Sequence, residues 1–359
     1  MKILHLGDLH NGVKDDDPWH EDIVEHAIVQ AVEYSKANGI TQWIQSGDFF
    51  DVRKAVSQKT MHFVRTRITP KLKEAGITCF VIIGNHDMQK KDMIHPNSVT
   101  EILGKDDTYV VIDEPTTINF DGLDYDLIPW MCKENAADIF EFIKKSESPW
   151  CIGHWELAGF YFYKNIPSSG YSSDFLNGYE KVVSGHFHTQ SDGGNIHYIG
   201  TPYTITAGDE DEPRGFWELD TDTRQFVFIP NQKTWHKRLV YPGVTPAMIR
   251  ECAGCSVRLI ANEVDAGLTK VEHLLSRVCH DLRTINKATK VTVDSSIDIS
   301  DDGETLNITN IDVSDVAEIK NKSIMALLEN QVEKSELAVD DKQAVIGMAW
   351  ELYNEAQLS

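Results

Sequence analysis

No stretch of the 359 residues approaches the ~18 consecutive apolar residues that a membrane span requires, so no membrane partner is expected. The opening MKILHLGDLH is too short and too polar for a secretion signal. Cysteine is scarce: six residues, at 79, 132, 151, 252, 255 and 279, scattered without the spacing of a disulfide framework. That pattern predicts reduced thiols in a cytoplasmic protein. Cys252-Ala253-Gly254-Cys255 has the spacing of half a zinc site, but no second pair completes it, and the two read as ordinary cysteines. There is no internal repeat. Positive charge is also short, with 34 Lys+Arg against 56 Asp+Glu and a net charge of -22, which for the chain as a whole argues against a nucleic-acid partner.

The charge is unevenly spread, and this changes the reading. Residues 291–359 hold 15 acids and 4 bases, whereas residues 233–290 hold 10 bases and 5 acids. An acidic tail behind a basic module points to parts with different tasks. Composition is otherwise ordinary for a folded chain, 41% hydrophobic and 25% charged, and the length suits two or three domains.

Short apolar runs stopped by Gly predict strands at Lys2–Leu6, Thr41–Gln45, Thr78–Ile83, Trp150–Ile152 and Lys181–Val183. Ile23, Ala27, Ala31 and Tyr34 define a helix face ending at Gly39. A second helix runs from a Ser57 cap through Met61, Val64, Ile68 and Leu72 to Gly76, kinked at Pro70. This βαβαβ start implies an α/β fold with its strand C-termini opening onto one sheet edge. Beyond Pro230, Pro242 and Pro246 a smaller module begins: a strand at Ser256–Val264, a helix carrying Leu268, Val271, Leu275, Val278, Leu282 and Ile285, and a strand at Lys290–Val293. Residues 294–312 read as linker, followed by helices near 314–334 and 341–357.

Each of the five strands ends in a loop bearing His, Asp or Asn: Asp8-Leu9-His10, Gly47-Asp48, Gly84-Asn85-His86-Asp87, Gly153-His154 and Gly185-His186-Phe187-His188. A capping Asp or a satisfied loop His explains any one of these, but not five in register with five strand ends. Imidazole mixed with carboxylate and amide oxygen suits Mn²⁺, Fe or Zn²⁺ better than Ca²⁺ or Mg²⁺. Seven such ligands with one carboxylate shared fit two ions ~3.5–4 Å apart.

In this order DxH, GDxxD, GNHD, GH and GHxH resemble the calcineurin-like metallophosphoesterases, over about residues 1–230. GDLHNG and GDFFDVR resemble the SbcD-type recombination nucleases, a likeness running through nearly the whole chain, and the stretch from Ile128-Pro129-Trp130 to Pro213-Arg214-Gly215-Phe216 is similar to the nuclease subunit of tailed-phage recombination endonucleases. The resemblance implies a β-sandwich flanked by helices, with a small α+β capping domain and C-terminal helices. It implies a first metal on Asp8, His10 and His188, Asp48 bridging to a second, and Asn85, His154 and His186 completing that one. The ions are expected to be Mn²⁺, with Mg²⁺ the alternative. His86 is expected to stabilise the transition state or protonate the leaving oxygen, with Asp87 orienting its ring. Relatives often carry a histidine three residues after the bridging Asp, where this chain has Asp51.

The implied domains are a nuclease body (1–232), a DNA-capping module (233–293), a linker (294–312) and a helical region (313–359) that grips an SMC-like coiled-coil ATPase of SbcC type. The expected substrate is DNA, cut from duplex ends and within single strands during double-strand break processing, recombination and replication. Arg53, Lys54 and Lys90 are the candidate phosphate contacts, and Arg214 falls near the site motifs. Lys59, Arg65 and Arg67 continue the basic stretch, either as solvated helix charge or as DNA contacts. Phe160-Tyr161-Phe162-Tyr163 offers base stacking or plain packing. A homodimer through Met61, Val64 and Ile68 is also implied. Two other readings stand: a phosphatase or cyclic-nucleotide phosphodiesterase, which needs neither the basic module nor the terminal helices, and a non-catalytic DNA-end scaffold.

Overall fold

The structure is a computed structural model that describes residues 1–163 and 166–287, with isolated positions at 332, 342 and 346. The chain divides into two compact units, Met1–Lys237 and Arg238–Ser359.

The first unit is built on two six-stranded sheets. One contains β1 (Lys2–Leu6), β2 (Gln42–Gln45), β3 (Thr78–Ile82) and β6 (Tyr109–Ile112), all parallel. β15 (Gly215–Asp220) and β16 (Phe226–Pro230) extend it antiparallel beyond β1. The other is ordered β13 (Ser191–Gly193), β14 (Ile196–Tyr198), β12 (Lys181–Ser184), β9 (Trp150–Gly153), β8 (Leu123–Ile128) and β7 (Thr116–Phe120), with only the two edge pairings antiparallel. Two hairpins, β4 (Met88–Lys90) with β5 (Met93–Asn97) and β10 (Tyr161–Tyr163) with β11 (Ile166–Pro167), stand outside the sheets. Ile3, Ile44, Phe80 and Ile82 of the first sheet interlock with Tyr125, Leu127, Trp150, Ile152 and Val183 of the second in one buried cluster. β1, β2, β3, β9 and β12 are buried on both faces, which is why they read as continuous apolar runs.

The five motif-bearing strands are therefore split, β1, β2 and β3 in one sheet and β9 and β12 in the other. The single sheet edge expected from the sequence is replaced by one end of a sandwich. Strand periodicity reports burial and not sheet membership, so the two sheets follow from the metallophosphoesterase resemblance and not from the pattern of apolar runs.

Helix Pro18–Asn38 buries Ile23, Ala27 and Ala31, and Ser35 Oγ accepts from the Trp43 indole at 2.9 Å. It stops at Gly39, whose φ of 66° is left-handed. Ser57 caps the next helix, accepting from the Thr60 amide. The single helix kinked at Pro70 is instead two short α-helices, Gln58–Phe63 and Thr69–Glu74, joined by a π-helical turn at Val64–Ile68. Proline has no N–H to donate to the preceding turn, and the widened turn absorbs the defect. Val64 and Ile68 are each 1% exposed, buried in their own chain, so they are not the free dimer surface expected of them. Arg67 pairs with Glu21, Asp22 and Glu25, and Lys59 with Glu21, so those bases are committed to the helix at 18–38 rather than to a ligand.

The second unit carries β17 (His236–Tyr241), β18 (Ser256–Ala261) and β19 (Asp281–Asn286) in that order, with helix Ala266–Ser276 linking the parallel pair β18 and β19. Leu282 and Ile285, expected on the helix, lie in β19 instead. The helix ends at Ser276, and Asp281–Asn286 pairs in register with Ser256–Ala261. Cys252 and Cys255 are buried in this unit's core. The expected strand at 290–293, the linker and both terminal helices lie outside the described residues, apart from the isolated positions.

One buried hub away from the ligand loops tests this packing. Asp126 on β8 is fully buried and accepts from Thr117 Oγ1 (2.7 Å), Ser148 Oγ (2.6 Å), Tyr179 OH (2.7 Å) and Ser146 Oγ. Asp126→Ala strands these donors. It is expected to lower stability in urea unfolding by about 3 kcal/mol while leaving metal content at the wild-type level.

Candidate metal centre

The five ligand-bearing loops converge through backbone contacts that only particular residues permit. Leu9 and His10 both donate their amides to Asp48 O at 3.0 Å, tying the β1 loop to the β2 loop. A Cβ on Gly84 would lie 2.3 Å from Asp48 Oδ1, and one on Gly47 would lie 2.4 Å from His154 Nδ1. Larger residues at 47 and 84 would displace the ligands themselves. His10, Asp48 and His186 hold left-handed backbones at φ of 43°, 52° and 83°. Each such conformation costs about 1–3 kcal/mol, a strain characteristic of functional loops.

Among the described residues three donor groups gather ligand atoms within 4.8 Å of one another: Asp8, His10 and His188; Asp48, His154 and His186; and His10, Asp51 and His86, which shares His10 with the first. The first two are the clusters of expected ligands. His10 Nε2 and His188 Nε2 face each other at 3.0 Å. Asn85 Oδ1 lies 3.0 Å from His154 Nε2 and 3.1 Å from His186 Nδ1. Asp48 Oδ2 is 3.2 Å from His154 Nε2 and 3.9 Å from His10 Nε2, so one carboxylate reaches both clusters. All seven expected ligands are thus brought together, and the donor set suits a pair of divalent cations.

Electrostatics support the fit. Burial alone would lower His10, but its contact with Asp51 and the charges of Asp51, Asp48 and Asp8 outweigh that and push its pKa up to about 9. His154 likewise rises to about 9, burial being overcome by Asp48 and Asp8. Burial raises Asp8 to about 6. Asp48, by contrast, is held well below the ordinary carboxylate value by His154 and its neighbours despite its burial, so the protons that a cation would displace are those of His10 and His154.

The supporting contacts fix ligand orientation. His154 Nδ1 donates to Ser46 O at 2.8 Å, leaving Nε2 toward Asp48 and Asn85. His10 Nδ1 lies 3.0 Å from Asp51 Oδ1, the carboxylate–imidazole pairing that orients a metal-binding ring. Asp51 thus faces the ring of an expected ligand. Arg214, 3% exposed, donates to Asp209 and Glu212 at 3.0 Å and to Thr201 Oγ1 at 3.2 Å, while the Thr201 amide donates to His188 O. It braces the loop that carries His188.

His86 sits beside these clusters. Its amide donates to Asp48 Oδ1 at 2.7 Å, and its Nδ1 donates to Asp51 O at 2.6 Å. Burial holds its pKa below the ordinary histidine value. Asp87 does not orient that ring, contrary to the sequence expectation. Its carboxylate accepts the amides of Phe49, Phe50 and Gly84, because a fully buried carboxylate takes the nearest donors. Burial and Asp48 raise its pKa to about 7, and its three amide contacts tie the loop after β2 to the loop after β3.

Of the expected phosphate contacts, Arg53 is half-buried, its charge acts on His186, and its Nε has no acceptor among the described residues. Lys54 and Lys90 are exposed. Phe160 is core, 7% exposed and 4.7 Å from the Tyr198 ring, while Tyr161 is 54% exposed. Sequence reasoning missed Trp130, whose ring lies 5.1 Å from His186 and 5.7 Å from His154. No spacing pattern marks a lone Trp after a strand.

A two-sheet sandwich with this donor set at one end defines a dimetal phosphoesterase, and the chain belongs to the calcineurin-like phosphoesterases, whose family model matches residues 1–202. It is 49% identical over 357 residues to exonuclease subunit 1 of Enterobacteria phage T4, covering 99% of each chain. It is also 28% identical over 233 residues to the DNA double-strand break repair protein Mre11 of Sulfurisphaera tokodaii, covering 60% of this chain and 56% of that one.

Proposed function

We infer that this chain is a metal-dependent DNA nuclease, the catalytic subunit of a break-processing and recombination complex. The observation that carries the chemistry is Asp48, a single carboxylate within reach of both ligand clusters, with the non-ligand His86 hydrogen-bonded to it through its amide. The substrate, DNA, is inferred from the relatives, an exonuclease subunit and a DNA double-strand break repair protein.

Asp8, His10 and His188 would hold one cation, Asn85, His154 and His186 the other, with Asp48 shared. When bound, two divalent ions would supply positive charge against the phosphoryl oxygens and lower the pKa of a water. The chain's own residues do the rest. Arg53 Nε offers a donor to a phosphate oxygen near His186. His86, its Nδ1 engaged by Asp51 O, presents Nε2 as the group that exchanges a proton with the leaving oxygen. No side-chain nucleophile is required. Incubating the purified chain with end-labelled duplex and single-stranded DNA, in Mn²⁺ and separately in Mg²⁺, tests this reading. Mn²⁺-dependent cleavage is the expected result, and phosphatase activity without DNA cleavage would replace the reading.

The basic segment 233–290 is assigned to DNA capping, and the acidic segment after 293 to a coiled-coil ATPase of SMC type. Ending the chain near Asn307 is therefore expected to leave a folded, metal-loaded nuclease that no longer co-purifies with the ATPase. Replacing Leu327 and Leu328 by Glu is expected to do the same. Retained binding by the truncated chain would move the interface to the body.

A further inference from the structure

We propose that the cavity beside the second ligand cluster is a nucleobase pocket that receives the base adjoining the scissile phosphate. This rests on the nuclease reading above. The cavity measures about 310 Å³ and is lined by Trp130, His154, Trp155, Glu156, Ser169 and Tyr171 among others. Its size is at the low end of the about 300–1,000 Å³ of small-ligand pockets, which suits a single base with its sugar rather than a duplex. His154 belongs both to this cavity and to the ligand cluster, so a strand whose phosphate lies at Asp48 and His154 has its neighbouring base at the cavity mouth.

The lining is chosen for a base rather than a phosphate. Trp130 and Tyr171 are aromatic walls, and Tyr171 keeps 47% of its surface exposed. Aromatic side chains stack on any base, because every base has a π-face. Trp155 is 2% exposed, yet its indole N–H has no acceptor among the described residues. Glu156 adds a carboxylate, with Oε2 3.8 Å from His186 Nε2 and Oε1 accepting from Ser168 Oγ at 3.5 Å. A carboxylate repels phosphate but accepts from the exocyclic amine of cytosine, whereas thymine presents a carbonyl at that position. The rim is also rigid. The Tyr171 amide donates to Glu156 O at 3.0 Å, the Ala158 amide donates to Tyr171 O at 2.9 Å, and a Cβ on Gly170 would come within 2.0 Å of Glu156 O.

The test compares short single strands with one cleavable linkage, the adjoining residue being cytosine, thymine or abasic, cut by the full chain in Mn²⁺. In the wild type the abasic strand is expected to show kcat/KM lower by roughly ten-fold or more, chiefly through KM. Tyr171→Ala is expected to bring cleavage of the cytosine strand down to the abasic level and erase the difference, and Tyr171→Phe to retain it. The wild type is expected to favour cytosine over thymine, and Glu156→Gln to lose that preference. Equal wild-type kcat/KM on abasic and cytosine strands overturns the pocket. So does a Tyr171→Ala variant that weakens both strands equally, because Tyr171 would then be only structural. No wild-type cleavage of any strand overturns the nuclease reading instead.

Discussion

Asp48→Asn is expected to abolish DNA cleavage, by more than about 10³-fold, and to leave at most one ion bound per chain. A single electrostatic donor in an active site is worth about 10²–10³ in rate, and Asp48 serves two cations at once. Asparagine tolerates the left-handed backbone that Asp48 adopts (φ 52°) and keeps an oxygen that can accept the His86 amide, so the loop is expected to persist. Asp48→Ala gives the same kinetic loss but removes that acceptor. Metal content measured on the folded variant, beside cleavage of labelled DNA, checks the claim. Near-normal activity with two ions bound would mean that the shared carboxylate lies elsewhere.

His86→Ser is expected to keep both ions and DNA binding while lowering turnover by roughly 10²–10⁴-fold, the range for a general acid or base. His86 lies close to the expected ligand His10, with ring centroids 5.0 Å apart, but its polar contacts differ from those of a ligand. Its Nδ1 is occupied by Asp51 O, and its amide, not its ring, meets Asp48. Its pKa lies below the ordinary histidine value because burial disfavours the charged ring, and two bound cations would press it further the same way. The leaving oxygen takes its proton from the Nε2–H of the imidazolium, so the wild-type rate is expected to fall as pH rises through the His86 pKa, and that basic limb is expected to be lost in the variant. Loss of metal from His86→Ser would make His86 a ligand.

Much of the centre could be read from the sequence because its chemistry is local. Each ligand follows a glycine or a strand end, and the residue types admit few alternatives: His10 two residues after Asp8, Asn85 beside His86, His186 two before His188. What was lost was three-dimensional. Asp87 looked like a partner for His86 because it is adjacent, whereas its carboxylate turns to the amides of Phe49, Phe50 and Gly84. Asp51, seen only as a departure from relatives, instead reaches the His10 ring. Leu282 and Ile285 kept helical spacing from Leu275, yet in-register pairing with Ser256–Ala261 made them strand, tertiary context overriding period. Val64 and Ile68 showed an apolar face but not what covers it.

The central claim is that one end of the sandwich holds two cations sharing Asp48. Anomalous scattering from a crystal of the Mn²⁺-loaded chain tests it most directly. Two peaks are predicted about 3.5–4 Å apart, one among Asp8, His10, His188 and Asp48, the other among Asp48, Asn85, His154 and His186. A single peak, or two ions with no common contact to Asp48, would contradict it.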